Sequence, residues 1–177
     1  MPKAVVLLSG GLDSTTALAI AKTKGFKNFC LSFHYGQLHK KELLSAKKIA
    51  IFYKADHTLM SFDLRKWGKS ALTDSDLRVP KGKISAGSIP ITYVPGRNTI
   101  FLSFALAYAE AIKASAIFIG VNALDYSGYP DCRPEFIKAF QKVADLGTKC
   151  GIENKQKIKI VTPLIQLSKK EIIKKAI

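Results

Sequence analysis

The sequence predicts an α/β protein: a doubly wound, mainly parallel sheet sandwiched by helices. Three observations carry this. Short apolar runs alternate with longer stretches whose apolar residues recur at helical spacing. A glycine turn, Ser9-Gly10-Gly11-Leu12-Asp13-Ser14, stands where the first apolar run gives way to the first helical stretch. Each informative polar motif then follows the end of a strand, where open α/β sheets bind their ligands. With 177 residues, 47% hydrophobic and 23% charged, the chain is long enough for one ordinary domain with a sizeable core, and residues 1–177 are read as that single domain.

Taken in order, Ala4 to Leu8 reads as a strand and Ser14 to Thr23 as a helix. Phe29 to Phe33 is a buried strand. Gln37 to Tyr53 carries Leu38, Leu44, Ile49 and Phe52 at helical spacing with lysines opposite. His57 to Ser61 is a third strand. From Asp63 to Pro95 the pattern breaks into Gly, Ser, Pro and scattered charge, a connection of about thirty residues, far beyond the usual few, which reads as a lid or substrate loop. Asn98 to Ala114 is an apolar helix, Ala116 to Val121 a strand, and Pro134 to Cys150 a helix with proline in its first turn. Ile158 to Val161 is a short strand, and Ser168-Lys169-Lys170-Glu171 has the capping-box pattern that opens a last helix.

The glycine turn suits an anion. Backbone N–H groups at a helix start lack intrahelical partners and carry the positive end of the helix dipole. Gly10 and Gly11 allow close approach, the Ser9 and Ser14 hydroxyls can donate, and Asp13 can orient the turn or hold a cation beside phosphate. Composition alone equally allows a plain glycine turn capped by Ser or Asp. No Lys-Ser/Thr pair follows the glycines, and GxGxxG spacing is absent, so the two commonest nucleotide loops are excluded. The motif instead resembles the loop of the PP-loop ATP pyrophosphatases, which cleave ATP between its α and β phosphates and adenylate an oxygen of their substrate.

Net charge is +15, from 28 basic and 13 acidic residues, and Arg65, Arg78, Arg97 and Arg133 are the only arginines. The lysines are dispersed along helix faces rather than interleaved with aromatics, so the surplus reads as a solvated surface and not as a nucleic-acid groove. Cys30, Cys132 and Cys150 are too few and too widely spaced for a disulfide framework or a CxxC knuckle, and read as reduced thiols. Cys30 is a core residue, whereas Cys132, in a polar loop, can approach a site; His57 is read as structural, with no visible partner. No apolar run reaches the roughly 20 residues of a membrane span, no signal peptide is visible, and the expected location is cytoplasmic.

Three further loops narrow the family. His34, Tyr35, Gly36, Gln37, His39 and Glu42 give a HYGQ-x-H-x-x-E pattern. Tyr93-Val94-Pro95-Gly96-Arg97-Asn98 opens a helix, and the segment Val121 to Phe136 packs carboxylates, tyrosines and an arginine between strand and helix. Together these resemble the 7-cyano-7-deazaguanine synthases over nearly the whole chain. The resemblance implies conversion of 7-carboxy-7-deazaguanine, ammonium and ATP with Mg²⁺ to the nitrile precursor of queuosine, through an adenylated carboxylate and an amide. It implies nucleotide contacts from Leu8, Ser9, Gly10, Gly11, Leu12, Asp13, Ser14, Thr15, Thr16, Ala17 and Leu18, from His34, Tyr35 and Gln37, and from Arg97 and Asn98. Catalytic roles fall to Asp13, Arg97, Asp125 and Asp131, and substrate contacts to Asp125, Tyr126, Tyr129, Asp131 and Arg133. Asp125 or Asp131 would accept from the guanine-like ring and Tyr126 or Tyr129 would stack on it; the structural alternative makes the carboxylates turn or cap residues and the tyrosines packing.

The resemblance also implies a homodimer and a four-cysteine zinc site in a segment beyond the matched region, whose ligands this chain does not contain. The last helical stretch is barely two turns, so the natural protein is expected to continue. Two other readings remain: a PP-loop enzyme modifying tRNA, of thiolase or lysidine synthetase type, and an inactive ATP-binding relative.

Overall fold

Five parallel strands form the sheet, in the order β3-β2-β1-β4-β5. The computed structural model describes residues 1–38, 41–65, 70, 72–74, 89–122, 128–153 and 157–176. The central strand β1 (Lys3–Leu7) is apolar and buried from Ala4 onward because a parallel strand flanked on both sides has no solvent face. It pairs with β2 (Lys27–His34) on one side and with β4 (Ala116–Phe118) on the other. β3 (Asp56–Ser61) and β5 (Lys159–Val161) are the edges.

Helices cover both faces. α1 (Leu12–Thr23) and α2 (Lys41–Phe52) pack Leu18, Ala21, Ala46 and Ala50 against Val6, Cys30 and Phe118. On the opposite face, α3 (Arg97–Ala111) and α4 (Pro134–Gly147) pack Leu102, Ala105, Ile137 and Phe140 against Val5, Leu31 and Ile117. Alanines on the inner helix faces let the helix backbones approach the sheet, and each large buried side chain such as Phe118 contributes about 2–3 kcal/mol of transfer free energy. α5 (Lys149–Ile152) follows α4, and α6 (Lys169–Ala176) lies against α1 with Ile172 fully buried.

Several boundaries differ from the sequence expectation, and three of the differences have a local reason. α2 begins at Lys41 rather than Gln37, because the Gln37 side chain closes the turn after β2. Its amide accepts from Tyr35 N (2.8 Å) and donates to the Phe33 carbonyl (3.0 Å). α4 stops at Gly147, and Thr148 caps the separate α5 by accepting from Gly151 N at 3.1 Å. β4 pairs only to Phe118; beyond Ile119, whose N–H still donates to Val161 O, the chain leaves the sheet. His57 does have a partner: its Nε2 lies 2.8 Å from Ser32 Oγ, which donates to the Leu8 carbonyl at 2.5 Å. Most of the Asp63–Pro95 connection, read as a lid, lies outside the described residues.

The chain winds outward through β2 and β3, then returns to place β4 and β5 on the other side of β1. β1 and β4 therefore flank the switch point, where diverging connections leave a crevice at the carboxyl ends of the strands.

Candidate active site

A cavity of about 460 Å³ opens in that crevice. This is within the range of small-molecule sites. Its polar side is the turn from Ser9 to Ser14 and its apolar side is an aromatic wall. The turn is pinned from two directions. Gly10 has φ +88°, and a Cβ there would stand 2.3 Å from the Glu42 carbonyl oxygen and 2.8 Å from Ala46 N, so the turn is pressed onto α2. A Cβ on Gly120 would stand 2.7 Å from both C and O of Asp13, so the segment after β4 supports the start of α1. Gly11 differs from both. The nearest atom to a Cβ there is Ser9 Oγ at 3.5 Å, and its missing side chain leaves room inside the cavity.

No side chain caps α1 at its Gly11 N-cap, so the positive end of the helix faces the cavity. Ser14 Oγ donates to the Gly11 carbonyl (3.0 Å) and accepts from Ser9 N (3.2 Å). Ser14 therefore shapes the turn rather than serving as a donor to a ligand; the exposed Ser9 hydroxyl lies 3.0 Å from Ser14 Oγ and accepts from Gly11 N at 3.3 Å, so it must leave these partners to meet a ligand. Asp13 Oδ1 accepts from Lys169 Nζ of α6 at 2.8 Å, and both residues line the cavity.

α3 supplies the facing wall. Arg97, Asn98 and Phe101 share one face, as helical spacing requires. Phe101 stacks on Phe33 at 4.1 Å between centroids and tilts against Tyr35 at 5.4 Å. Burial works against the charge of Arg97, but Tyr35, Asp131 and Cys132 outweigh it, so its pKa lies above the ordinary arginine value. Its Nη1 lies 3.5 Å from the Tyr35 hydroxyl. Tyr129 also lines the cavity, its hydroxyl bonded to Thr92 and its ring 6.2 Å from Tyr93.

Several expected contacts fall elsewhere. Thr15, Thr16, Ala17 and Leu18 do not line the cavity. The two threonine hydroxyls donate to the helix carbonyls of Gly11 and Leu12, and Thr16, Ala17 and Leu18 are buried in the packing of α1. His34 lies on the sheet face opposite Phe33 and Tyr35, because side chains alternate along β2. Arg133 is exposed at the N-cap of α4. Asp131 is buried as a cap: its Oδ2 accepts from Asn98 N at 3.0 Å, ending the first turn of α3 that Gly96 leaves uncapped. Neither Asp131 nor Arg133 lines the cavity. His39, Asp125 and Tyr126 lie outside the described residues.

Sequence reasoning missed Lys169, Phe101, Gly120 and Asn122. Phe101 was available one helical turn after Arg97, and Gly120 to Asn122 ends a strand on the ligand side of the sheet. Lys169 carried no signal beyond its place in a capping box.

Cys132 lines the cavity with its thiol pushed up to about 11, by burial first and then by Asp131, against the opposing effects of Arg97 and the Asn98 hydrogen bond. Cys30 is pushed to about 12 by burial and by Asp56. Among the described residues no group of three His, Cys, Asp or Glu side chains can hold a metal ion. The donor set of a structural zinc is therefore not met by them. Nor, among the described residues, is any helix long and apolar enough to cross a membrane.

Comparison with known proteins shows what the chain is similar to. The family model described as "Queuosine biosynthesis protein QueC" matches residues 3–177. The 7-cyano-7-deazaguanine synthase of Desulfatibacillum aliphaticivorans is 60% identical over 179 residues, covering 99% of this chain and 76% of the relative. That of Citrifermentans bemidjiense is 62% identical over 176 residues, covering 99% and 77%. The chain thus spans about three quarters of the length of these relatives. A solved 4-thiouridine synthetase–RNA complex with bound ATP superposes with a TM-score of 0.58 at 23% identity, over 99% of this chain and 40% of that one, a likeness of fold. Because the family model runs from the first strand to the last residue, and both relatives share about three residues in five across that span, the chain belongs to the QueC family.

Proposed function

We propose that the switch-point cavity is where this chain binds ATP and 7-carboxy-7-deazaguanine and joins ammonia to the carboxyl carbon. Family membership makes the activity that of a 7-cyano-7-deazaguanine synthase, an ATP-dependent ligase of queuosine biosynthesis. One observation carries the assignment of the site: the uncapped start of α1 and the Arg97 guanidinium line the same cavity.

Carboxylate and amide oxygens are poor leaving groups, so each must be activated. In the proposed sequence a carboxylate oxygen attacks the α-phosphorus, the bond to the β-phosphate breaks, and pyrophosphate leaves with the electron pair. Ammonia then displaces AMP to give the amide. A second ATP activates the amide oxygen, and loss of AMP with the remaining N–H protons gives the nitrile.

The protein's part is placement and charge. Backbone N–H groups at the start of α1, with Ser9, take the phosphates. Asp13 suits Mg²⁺ carried in with ATP, since a carboxylate beside phosphate is the usual magnesium environment. Arg97 suits the substrate carboxylate because its planar fork stays charged and can bind bidentately. The wall of Phe33, Tyr35 and Phe101 offers flat surface to a planar ring. The homodimer belongs to the same proposal and is read by sedimentation.

The test is mass spectrometry of products from the chain with Mg·ATP, ammonium and 7-carboxy-7-deazaguanine. The expected result is nitrile with AMP and pyrophosphate, lost on Arg97→Ala. Formation of AMP at an undiminished rate in that variant would remove Arg97 from the reaction, and the absence of AMP from the parent chain would overturn the assignment of the cavity.

A further inference from the structure

Resting on the reading of Arg97 as the group that receives the substrate carboxylate, we propose that the Tyr35 hydroxyl works with it as a pair, holding the guanidinium in place and donating its own proton to the same carboxyl group. Both residues line the cavity. Arg97 Nη1 donates to the Tyr35 hydroxyl oxygen at 3.5 Å, and among the described residues this is the hydrogen bond that the guanidinium makes. Because that oxygen is the acceptor, the phenolic proton points elsewhere, and none of the described residues accepts it. It is left for a ligand in the cavity.

The turn after β2 is built to aim this hydroxyl. Gln37 Oε1 accepts from Tyr35 N at 2.8 Å while its Nε2 donates to Phe33 O at 3.0 Å, and Leu64 N donates to Tyr35 O at 3.1 Å. Gly36 lets the turn close: its φ is +91°, and a Cβ there would stand 2.9 Å from Asp63 Oδ1. The Tyr35 ring is then held against Phe101, with 5.4 Å between centroids. Phenylalanine would fill that place as well. Tyr35 is only 8% exposed, and a buried hydroxyl is costly without partners, so packing alone does not account for the tyrosine.

The reaction gives the pair two tasks. A carboxylate binds most tightly where several donors converge, and a phenol beside a guanidinium adds a second direction of approach. When ammonia adds to the activated carboxyl carbon, an electron pair of the C=O bond moves to oxygen. It returns as AMP leaves, and the surplus ammonia protons pass to water. Donors aimed at that oxygen stabilise the transient charge, and the tyrosine keeps its proton throughout. At 3.5 Å the bond between Arg97 and Tyr35 is long, as expected of such a pair before a ligand draws it together.

The test is calorimetric binding of 7-carboxy-7-deazaguanine, 7-deazaguanine and Mg·ATP to the chain and to Tyr35→Phe, Arg97→Lys and the double variant. Tyr35→Phe keeps the ring and should weaken the carboxylate ligand by about tenfold or more, as expected for losing a hydrogen bond to a charged group, with 7-deazaguanine and Mg·ATP within about twofold. The double variant should lose less than the product of the two single losses, because each residue acts through the other. Amide formation at saturating substrate should fall in the same variants. Carboxylate binding unchanged within about twofold in Tyr35→Phe would overturn the proposal. So would equal weakening of 7-carboxy-7-deazaguanine and 7-deazaguanine, which leaves Tyr35 as part of the wall, and so would single losses that simply multiply. A parent chain that binds 7-carboxy-7-deazaguanine no more tightly than 7-deazaguanine would overturn the reading of Arg97, and this inference with it. One that binds ATP but neither deazaguanine would overturn the cavity as the substrate site.

Discussion

Gly120 is glycine for steric reasons alone. A Cβ there meets Asp13 C and O at 2.7 Å and Ser14 N at 2.9 Å, all backbone, so nothing can swing aside. Gly120→Ala should cost about 1–3 kcal/mol, read as a lower urea midpoint, and should weaken ATP binding because the start of α1 must move. Gly147→Ala, where a Cβ meets nothing within 4 Å, is the control and should be neutral or slightly stabilising. Cys132 allows a second prediction at this scale. With a pKa of about 11, only about one thiol in a thousand is ionised at pH 8, and burial blocks access. Iodoacetamide should label the half-buried Cys150 first in the native chain, with Cys132 and Cys30 reacting only in denaturant. Rapid labelling of Cys132 in the native state would show that its thiol is accessible and ionised there, against its burial. The turn from Ser9 to Ser14 was legible because its glycines and neighbours are adjacent in sequence, so local spacing determines the geometry. Asp131 was not: whether a carboxylate reads a ligand or caps a helix depends on what lies 33 residues away.

α3 depends on that carboxylate. Removing it leaves Asn98 N–H buried without its acceptor and removes negative charge from the positive end of the helix. Asp131→Ala should therefore cost about 1–3 kcal/mol, whereas Asp131→Asn, which keeps an acceptor oxygen, should cost less. Urea unfolding separates the two, and equal losses would assign the role to charge rather than to the hydrogen bond. β1, β2 and β3 are linked below the glycine turn by Leu8 O, Ser32 and His57. With the Ser32 proton directed at Leu8 O, His57 must donate from Nε2. Burial, then Lys47, lowers the His57 pKa from its ordinary 6.5. The unfolded chain therefore binds this proton more readily than the folded one. The contribution of neutral His57 is present above about pH 6.5 and is lost as pH falls from there toward the lower folded value. His57→Gln should flatten that part of the stability profile; an unchanged slope would assign it to other groups. Strands and helices were legible because periodicity records which face is buried. The misplaced ends, at Gln37 and Gly147, are where a side chain takes over hydrogen bonding from the backbone, which periodicity does not record.

At the scale of the molecule, the cavity draws its walls from both halves of the sheet and from the distant α6, so a bound nucleotide ties together elements that otherwise meet only through the core. Alternation of strands and helices made the sheet legible, and with it the edge where ligands bind. It did not reveal that the last helix folds back onto α1, because a short amphipathic helix can dock on any apolar face. Binding across such a cavity stabilises the folded state by mass action. At a concentration about 100 times its dissociation constant, Mg·ATP should add about 2.7 kcal/mol. For a chain of this size each kcal/mol raises the melting temperature by about 2–4 °C, so the expected rise is about 5–10 °C. Pyrophosphate alone should produce part of this rise through α1 and α6, and adenosine alone part of it through the aromatic wall. The whole effect requires both ends of the cavity to be filled at once. A full rise with adenosine alone would move the nucleotide's main contacts off the glycine turn, and no rise with saturating Mg·ATP would remove it from the cavity altogether.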